Sequence, residues 1–102
     1  MTNTFAIYES KDGKKYKMYP TLVRFDKKTE IAVGYEIIKT IKISSLKNFL
    51  EMTIGRDFEE PLQGSVDICE QNDFFIKSHI NNPLNYGKYN YQLSFDEVEP
   101  IN

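Results

Sequence analysis

His79 is the only imidazole in the chain and Cys69 the only thiol, so nucleophilic or acid–base chemistry of the usual kinds would have to start from these two residues. A catalytic Cys–His pair needs a basic environment to hold the thiolate and a further group to orient the ring. The surrounding residues supply neither. Cys69 follows the alternation of Val66 and Ile68, and His79 alternates with Phe75 and Lys77 opposite Phe74, Ile76 and Ile80. Both read as structural or surface residues, no catalytic residue is assigned, and the chain is expected not to be an enzyme. Asp67, Glu70 and Asp73 could attract a hard cation, as could Asp57, Glu59 and Glu60. Neither set has the alternating oxygen ligands and sharp-turn glycine of a calcium loop, so no metal is expected. Gly13, Gly34, Gly55, Gly64 and Gly87 stand singly, which excludes a glycine-rich phosphate cradle, and no cofactor is expected.

The charges are more informative than the nucleophiles. Residues 1–50 hold ten Lys/Arg against five Asp/Glu, whereas residues 51–102 hold three against ten. An acidic half with tyrosines at its margins suits a surface that occupies the cationic cleft of another protein, through charge steering and aromatic anchoring. Asp57, Glu59, Glu60, Asp67, Glu70 and Asp73, with Tyr86 and Tyr89, are the expected partner contacts. The plain alternative is a solubilising surface. A different reading comes from Lys14-Lys15-Tyr16-Lys17-Met18-Tyr19, which interleaves cations and aromatic rings as single-stranded nucleic-acid grooves do. Against it stands an acidic pI of about 5.4, where nucleic-acid binders normally carry a basic excess.

The length of 102 residues accommodates one core, so residues 1–102 are read as a single domain. The 40% hydrophobic and 27% charged content lies far from the composition of disordered chains, and seven Tyr with seven Phe supply large buried areas to a small core. A lone cysteine requires no oxidising compartment. The opening residues lack the basic-then-apolar pattern of a cleaved signal, and no apolar run approaches the roughly 20 residues that span a bilayer. The expected location is the cytosol.

The elements that would position these residues follow from hydrophobic period. Ile31, Val33, Tyr35, Ile37, Ile41 and Ile43 alternate with polar or small residues and predict a strand over Ile31–Ile43 with one face buried and a bend or bulge at Gly34. Tyr16–Phe25 predicts a second strand, joined to it by the turn Asp26-Lys27-Lys28-Thr29, with Pro20 marking either its start or a sheet edge. Phe5–Glu9 predicts a short strand before the Asp12-Gly13 turn. Leu46, Phe49, Leu50 and Ile54 change to helical spacing, with Ser45 placed to cap and Gly55 to terminate. Residues 56–64 read as a long loop. Ser65–Glu70, Phe74–Ile80 and Tyr89–Phe95 predict a three-strand meander with a loop over residues 81–87, and residues 96–102 form an acidic tail expected to be mobile. The fold class is therefore α+β, mainly an antiparallel sheet of five or six strands with one short helix packed on one face.

In this layout, carried by EIAVGYEIIKTIKI, SSLKNFLEM and GSVDICEQNDFFIKSHI, the chain resembles small bacterial immunity proteins, particularly those paired with contact-dependent growth-inhibition toxins. No functional residue transfers from that resemblance, because it matches no invariant site. It implies one-to-one neutralisation of a cognate toxin by tight binding, over the toxin's active site or beside it; the acidic second half, read on its own, points to a nuclease as that toxin and to steric and electrostatic occlusion as the mechanism, in the cytoplasm. A phage or mobile-element inhibitor of a host nuclease would share the same chemistry. A single-stranded nucleic-acid-binding module acting through Lys14, Lys15, Lys17, Tyr16 and Tyr19 is the alternative of a different class.

Overall fold

Two twelve-residue strands, β2 (Lys15–Asp26) and β5 (Tyr89–Pro100), run antiparallel along nearly their whole length and form the centre of the sheet in the computed structural model, which describes residues 4–55 and 65–101. The other strands attach to their edges: β1 (Ala6–Glu9) and β3 (Ala32–Ile37) pair with successive halves of β2, and β4 (Val66–Ile68) pairs with β5. The result is a five-stranded antiparallel sheet with helical segments, an α+β fold. No helix among the described residues is long and apolar enough to cross a membrane.

Pro20 lies in the middle of a central strand and not at a start or edge. It is tolerated because the register slips there, between Tyr19↔Glu97 and Thr21↔Ser94, so the missing N–H falls at an irregularity. The Pro20 carbonyl still accepts a bond from the Ile38 N–H at 2.8 Å, which fixes where the chain leaves β3.

The alternation over residues 31–43 resolves into three pieces. Only Ala32–Ile37 is strand, and its apolar row faces outward: Ile31, Val33 and Tyr35 are 64%, 49% and 67% exposed. Register explains the reversal. Tyr35 opposes Val23, whereas Glu36 opposes Leu22 and Gly34 opposes Arg24, placing Gly34 and Glu36 on the side that carries the core. The expected bulge is present beside Gly34, where Arg24↔Gly34 is followed by Phe25↔Ala32 and Val33 is left without an opposite number. Beyond the strand, Ile38, Ile41 and Ile43 turn under the sheet and are buried.

Helix α1 spans Ile43–Phe49 and starts one residue before the serines, so neither Ser44 nor Ser45 can act as N-cap; Lys42 occupies that position without a side-chain bond. The helix continues as a π-turn, Leu50–Ile54, closed by Gly55 in the left-handed conformation (φ 76°), as the isolated glycine predicts. Leu46, Phe49 and Leu50 join Ile38, Ile41, Ile43 and the inward row Leu22, Val66, Ile68, Tyr91, Leu93 and Phe95 in one core.

Phe74–Ile80 is not a strand. Asp73–Phe75 and Lys77–His79 are single 3-10 turns, in which the Ile76 N–H donates to the Asp73 carbonyl at 3.1 Å and the His79 N–H to the Ile76 carbonyl at 2.8 Å. Burial follows period three, with Asp73 and Ile76 inside and Phe74 outside. The Phe49 and Phe75 rings stack with centroids 4.6 Å apart and hold these turns against α1. The last strand is longer than its apolar alternation: β5 stays in the sheet to Pro100 where a loose tail is expected, with Glu99 opposite Lys17 and in an ion pair with Lys39 at 3.7 Å.

Leu93 is fully buried on β5, and Leu93→Ala should cost about 2–5 kcal/mol, read as a lowered urea midpoint with unchanged slope. The turn between β2 and β3 is held by the Asp26 carboxylate, which accepts the Lys28 N–H at 2.8 Å and the Thr29 N–H at 3.0 Å. Those two bonds, Thr29 first, hold the Asp26 carboxyl below its ordinary 3.8. Because the folded value is depressed, the stabilisation is present above pH 3.8 and is lost as the pH falls through the lower value. The amide shifts of Lys28 and Thr29 should therefore titrate with a midpoint below 3.8.

Candidate functional site

An open cleft of about 700 Å³ lies between the 3-10 segment and the loop that leads into β5, and Glu70, Asp73, Lys77, Asn81, Asn82 and Tyr86 form most of its wall. Backbone turns place the first wall. The Asn72 and Asp73 N–H groups both donate to the Cys69 carbonyl, at 3.1 and 2.9 Å, while the Asn72 Oδ1 accepts the Cys69 N–H at 2.8 Å. This closed turn carries Glu70 outward and Asp73 inward.

Three tethers position the opposite wall. Glu36, on the inner side of β3, accepts the Asn81 N–H at 2.7 Å and two longer bonds from Asn82. The Asn85 N–H donates to the Tyr91 hydroxyl at 2.8 Å. The Tyr86 hydroxyl donates to Asp73 Oδ2 at 2.8 Å, across the cleft floor. Leu84 and Tyr86 also pack on the core, and Tyr86 meets Tyr91 edge to face at 5.5 Å.

Asp73 is only 4% exposed, so its carboxylate must be satisfied from within. Tyr86 and the Lys77 ammonium, at 3.7 Å, do so. Burial and the adjacent carboxylate push the Tyr86 phenol well above its ordinary 10.0. Glu70, in contrast, is exposed and leaves the cleft with a charge that faces solvent.

Of the residues expected to contact a partner, Glu70, Asp73 and Tyr86 are brought together here. Asp67 lies on the other face of the sheet, where its carboxylate accepts the Gln92 amide at 3.2 Å. Tyr89 is half-buried beneath the Arg24 guanidinium, 4.8 Å from the ring centroid, so it serves as a platform for that cation. Asp57, Glu59 and Glu60 lie outside the described residues. His79 bonds through Nδ1 to the Thr40 hydroxyl at 2.7 Å. In the basic–aromatic segment, Tyr19 is buried against Phe5 with Lys39 over its ring, and Lys17 lies over Phe5. Among the described residues no three His, Cys, Asp or Glu side chains are grouped to hold a metal ion.

The residues missed from sequence are Glu36, Asn81, Asn82 and Arg24. Glu36 was legible only as a polar position in an alternating strand, and its role depends on a loop 45 residues away. No protein-family profile, curated protein or solved structure matches this chain.

Tyr86→Phe keeps the ring and removes the donor to a buried carboxylate, so it should destabilise by about 1–3 kcal/mol in urea unfolding. The raised phenol adds a pH test. Its stabilisation is present below pH 10 and is lost as the pH rises beyond it, so wild type should show an alkaline loss of stability that Tyr86→Phe reduces.

Proposed function

We propose that this protein is a non-enzymatic inhibitor that binds a cationic protein, acting as an immunity protein towards a bacterial toxin, with a nuclease as the target class. The observation that carries the reading is the convergence of Glu70 and Asp73 with the amide side chains of Asn81 and Asn82 and the ring of Tyr86 on one open cleft. Glu70 offers an exposed charge that makes no ion pair among the described residues, the amides offer hydrogen bonds to a guanidinium or ammonium, and the Tyr86–Asp73 bond holds the floor rigid before a partner arrives. Nuclease substrate clefts are cationic, so a surface of this kind occludes them by competing for the groups that bind phosphate.

Binding of this type is steered by charge, so association should slow steeply with ionic strength while dissociation changes little. The test is to express the protein domains encoded by the reading frames on either side of this chain's own and measure their binding by surface plasmon resonance. Glu70→Lys should lower the association rate at least tenfold at low salt, with the fold retained by circular dichroism. No binding to any of those domains, or equal rates for wild type and Glu70→Lys, overturns the reading. Capture of a host nuclease instead would assign the same surface to a mobile-element inhibitor.

A further inference from the structure

The acidic cleft carries more acceptors than its own side chains use. Glu70 and Asp73 set two carboxylates against the one ammonium of Lys77, so the wall holds a net negative charge. The Lys77 ammonium stands 3.7 Å from Asp73 Oδ2 on a side chain that is 63% exposed. That is beyond the about 2.7–3.2 Å of an N–H···O bond, so Lys77 offsets charge without filling an acceptor site. Tyr86 gives the Asp73 carboxylate its one hydrogen bond among the described residues, at Oδ2. A carboxylate has about four lone-pair sites, and Asp73 Oδ1 is not among the enclosed side-chain atoms that lack a partner, so it is open to the cleft that Asp73 lines. The Asn82 amide adds a further acceptor. Its Nδ2 donates to Glu36 Oε1 at 3.3 Å, which leaves Oδ1 as the free end on a residue that lines the cleft.

Ile80, Pro83 and Leu84 line the same cleft with apolar surface. A charged head and an apolar stem are thus both accommodated within about 700 Å³, a volume typical of pockets that hold small ligands. The two long cationic side chains differ in what they bring. A lysine ammonium is a strongly hydrated point charge with three donors, and here it would stand beside Lys77 and repeat what that residue already supplies. A guanidinium spreads its charge over a plane with five N–H donors, sheds water more readily and stacks on aromatic faces, one of which Tyr86 provides in the cleft wall. The pocket of about 100 Å³ on the far side of residues 82–84 supports no comparable reading, because its Arg24 guanidinium is packed against Gly34 and Glu36 opposes an anion there.

We infer that the cationic partner anchors in this cleft through one arginine side chain, its guanidinium placed among Glu70, Asp73 Oδ1 and Asn82 Oδ1 and its methylenes laid along Ile80, Pro83 and Leu84. The inference rests on the reading of the cleft as the docking site of a cationic protein and names the group that the cleft takes. A single inserted arginine suits the charge count, since one monocation neutralises what Lys77 leaves. It also suits an interface, where arginine is favoured as an anchor that fills a preformed pocket.

The probes are Nα-acetyl-arginine methylamide, its lysine counterpart and its citrulline counterpart, which keeps the shape of arginine and carries no charge. Titrated into ¹⁵N-labelled protein at pH 7 and constant ionic strength, the arginine amide should move the backbone amides of Glu70, Lys77 and Asn82 and the Asn82 side-chain amide along one saturating curve. The lysine amide should bind at least fivefold more weakly and the citrulline amide at least tenfold. Glu70→Gln and Asn82→Ala should each weaken arginine-amide binding at least fivefold while the spectrum stays dispersed, whereas Glu9→Gln, on β1, should leave it unchanged. No saturation by the arginine amide, equal affinity for the lysine or citrulline amide, or binding unchanged in both cleft variants overturns the inference. The two readings fail separately. A neighbouring-frame domain that binds through Glu70, with no saturation by the arginine amide, removes the arginine anchor and keeps the inhibitor; saturation by the arginine amide with no domain bound removes the inhibitor and keeps the arginine site.

Discussion

The antiparallel ladder between β2 and β5 carries the rest of the molecule. It joins residues 16–26 to residues 89–100, so its closure depends on contacts more than sixty positions apart in the chain, and every other strand attaches to one of its two edges. Its inward row, Leu22, Leu93 and Tyr91, is the floor onto which Ile38, Ile41, Leu46 and Leu50 pack. Because Arg24 and Tyr91 stand directly opposite one another, the same ladder also places the guanidinium of one pocket beside the phenol that anchors the loop between both.

That ladder gives the division of charge along the chain a meaning within the fold. The acidic end of β5 returns beside the basic start of β2, so that Glu99 faces Lys17 in the register and pairs with Lys39. Asp73 is likewise turned inward, to Lys77 and Tyr86. Opposite charges far apart in sequence thus become neighbours, and part of the negative second half acts as structural glue. Glu70 and Asp67 keep exposed positions, and the docking proposal rests on the cleft that Glu70 borders.

One segment, residues 82–84, lines both the cleft and the small pocket beside Arg24 and makes them neighbours. The 81–86 segment is fastened to Glu36, Tyr91 and Asp73 through residues 81, 82, 85 and 86, with Glu70, Asp73 and Lys77 on one side of it and Arg24 and Glu36 on the other.

Local chemistry made several elements legible in the residues alone. The Asp26 turn, the Asp12-Gly13 turn, the termination of the helix at Gly55, the bulge beside Gly34 and the alternation of Val66 with Ile68 depend on backbone preference and nearest neighbours, which a sequence carries directly. What tertiary structure alone decided was which side of each pattern faces the core. Period two in residues 31–37 and in residues 74–80 was compatible with either outcome; register against β2 turned Tyr35 outward, and local 3-10 bonding replaced the second strand altogether. The sites belong to this second class. Glu36 with Asn81, Tyr86 with Asp73, and Arg24 over Gly34 and beneath the loop are contacts between distant segments, and side-chain type fixes what such groups can bond while only the closed chain fixes which of them meet.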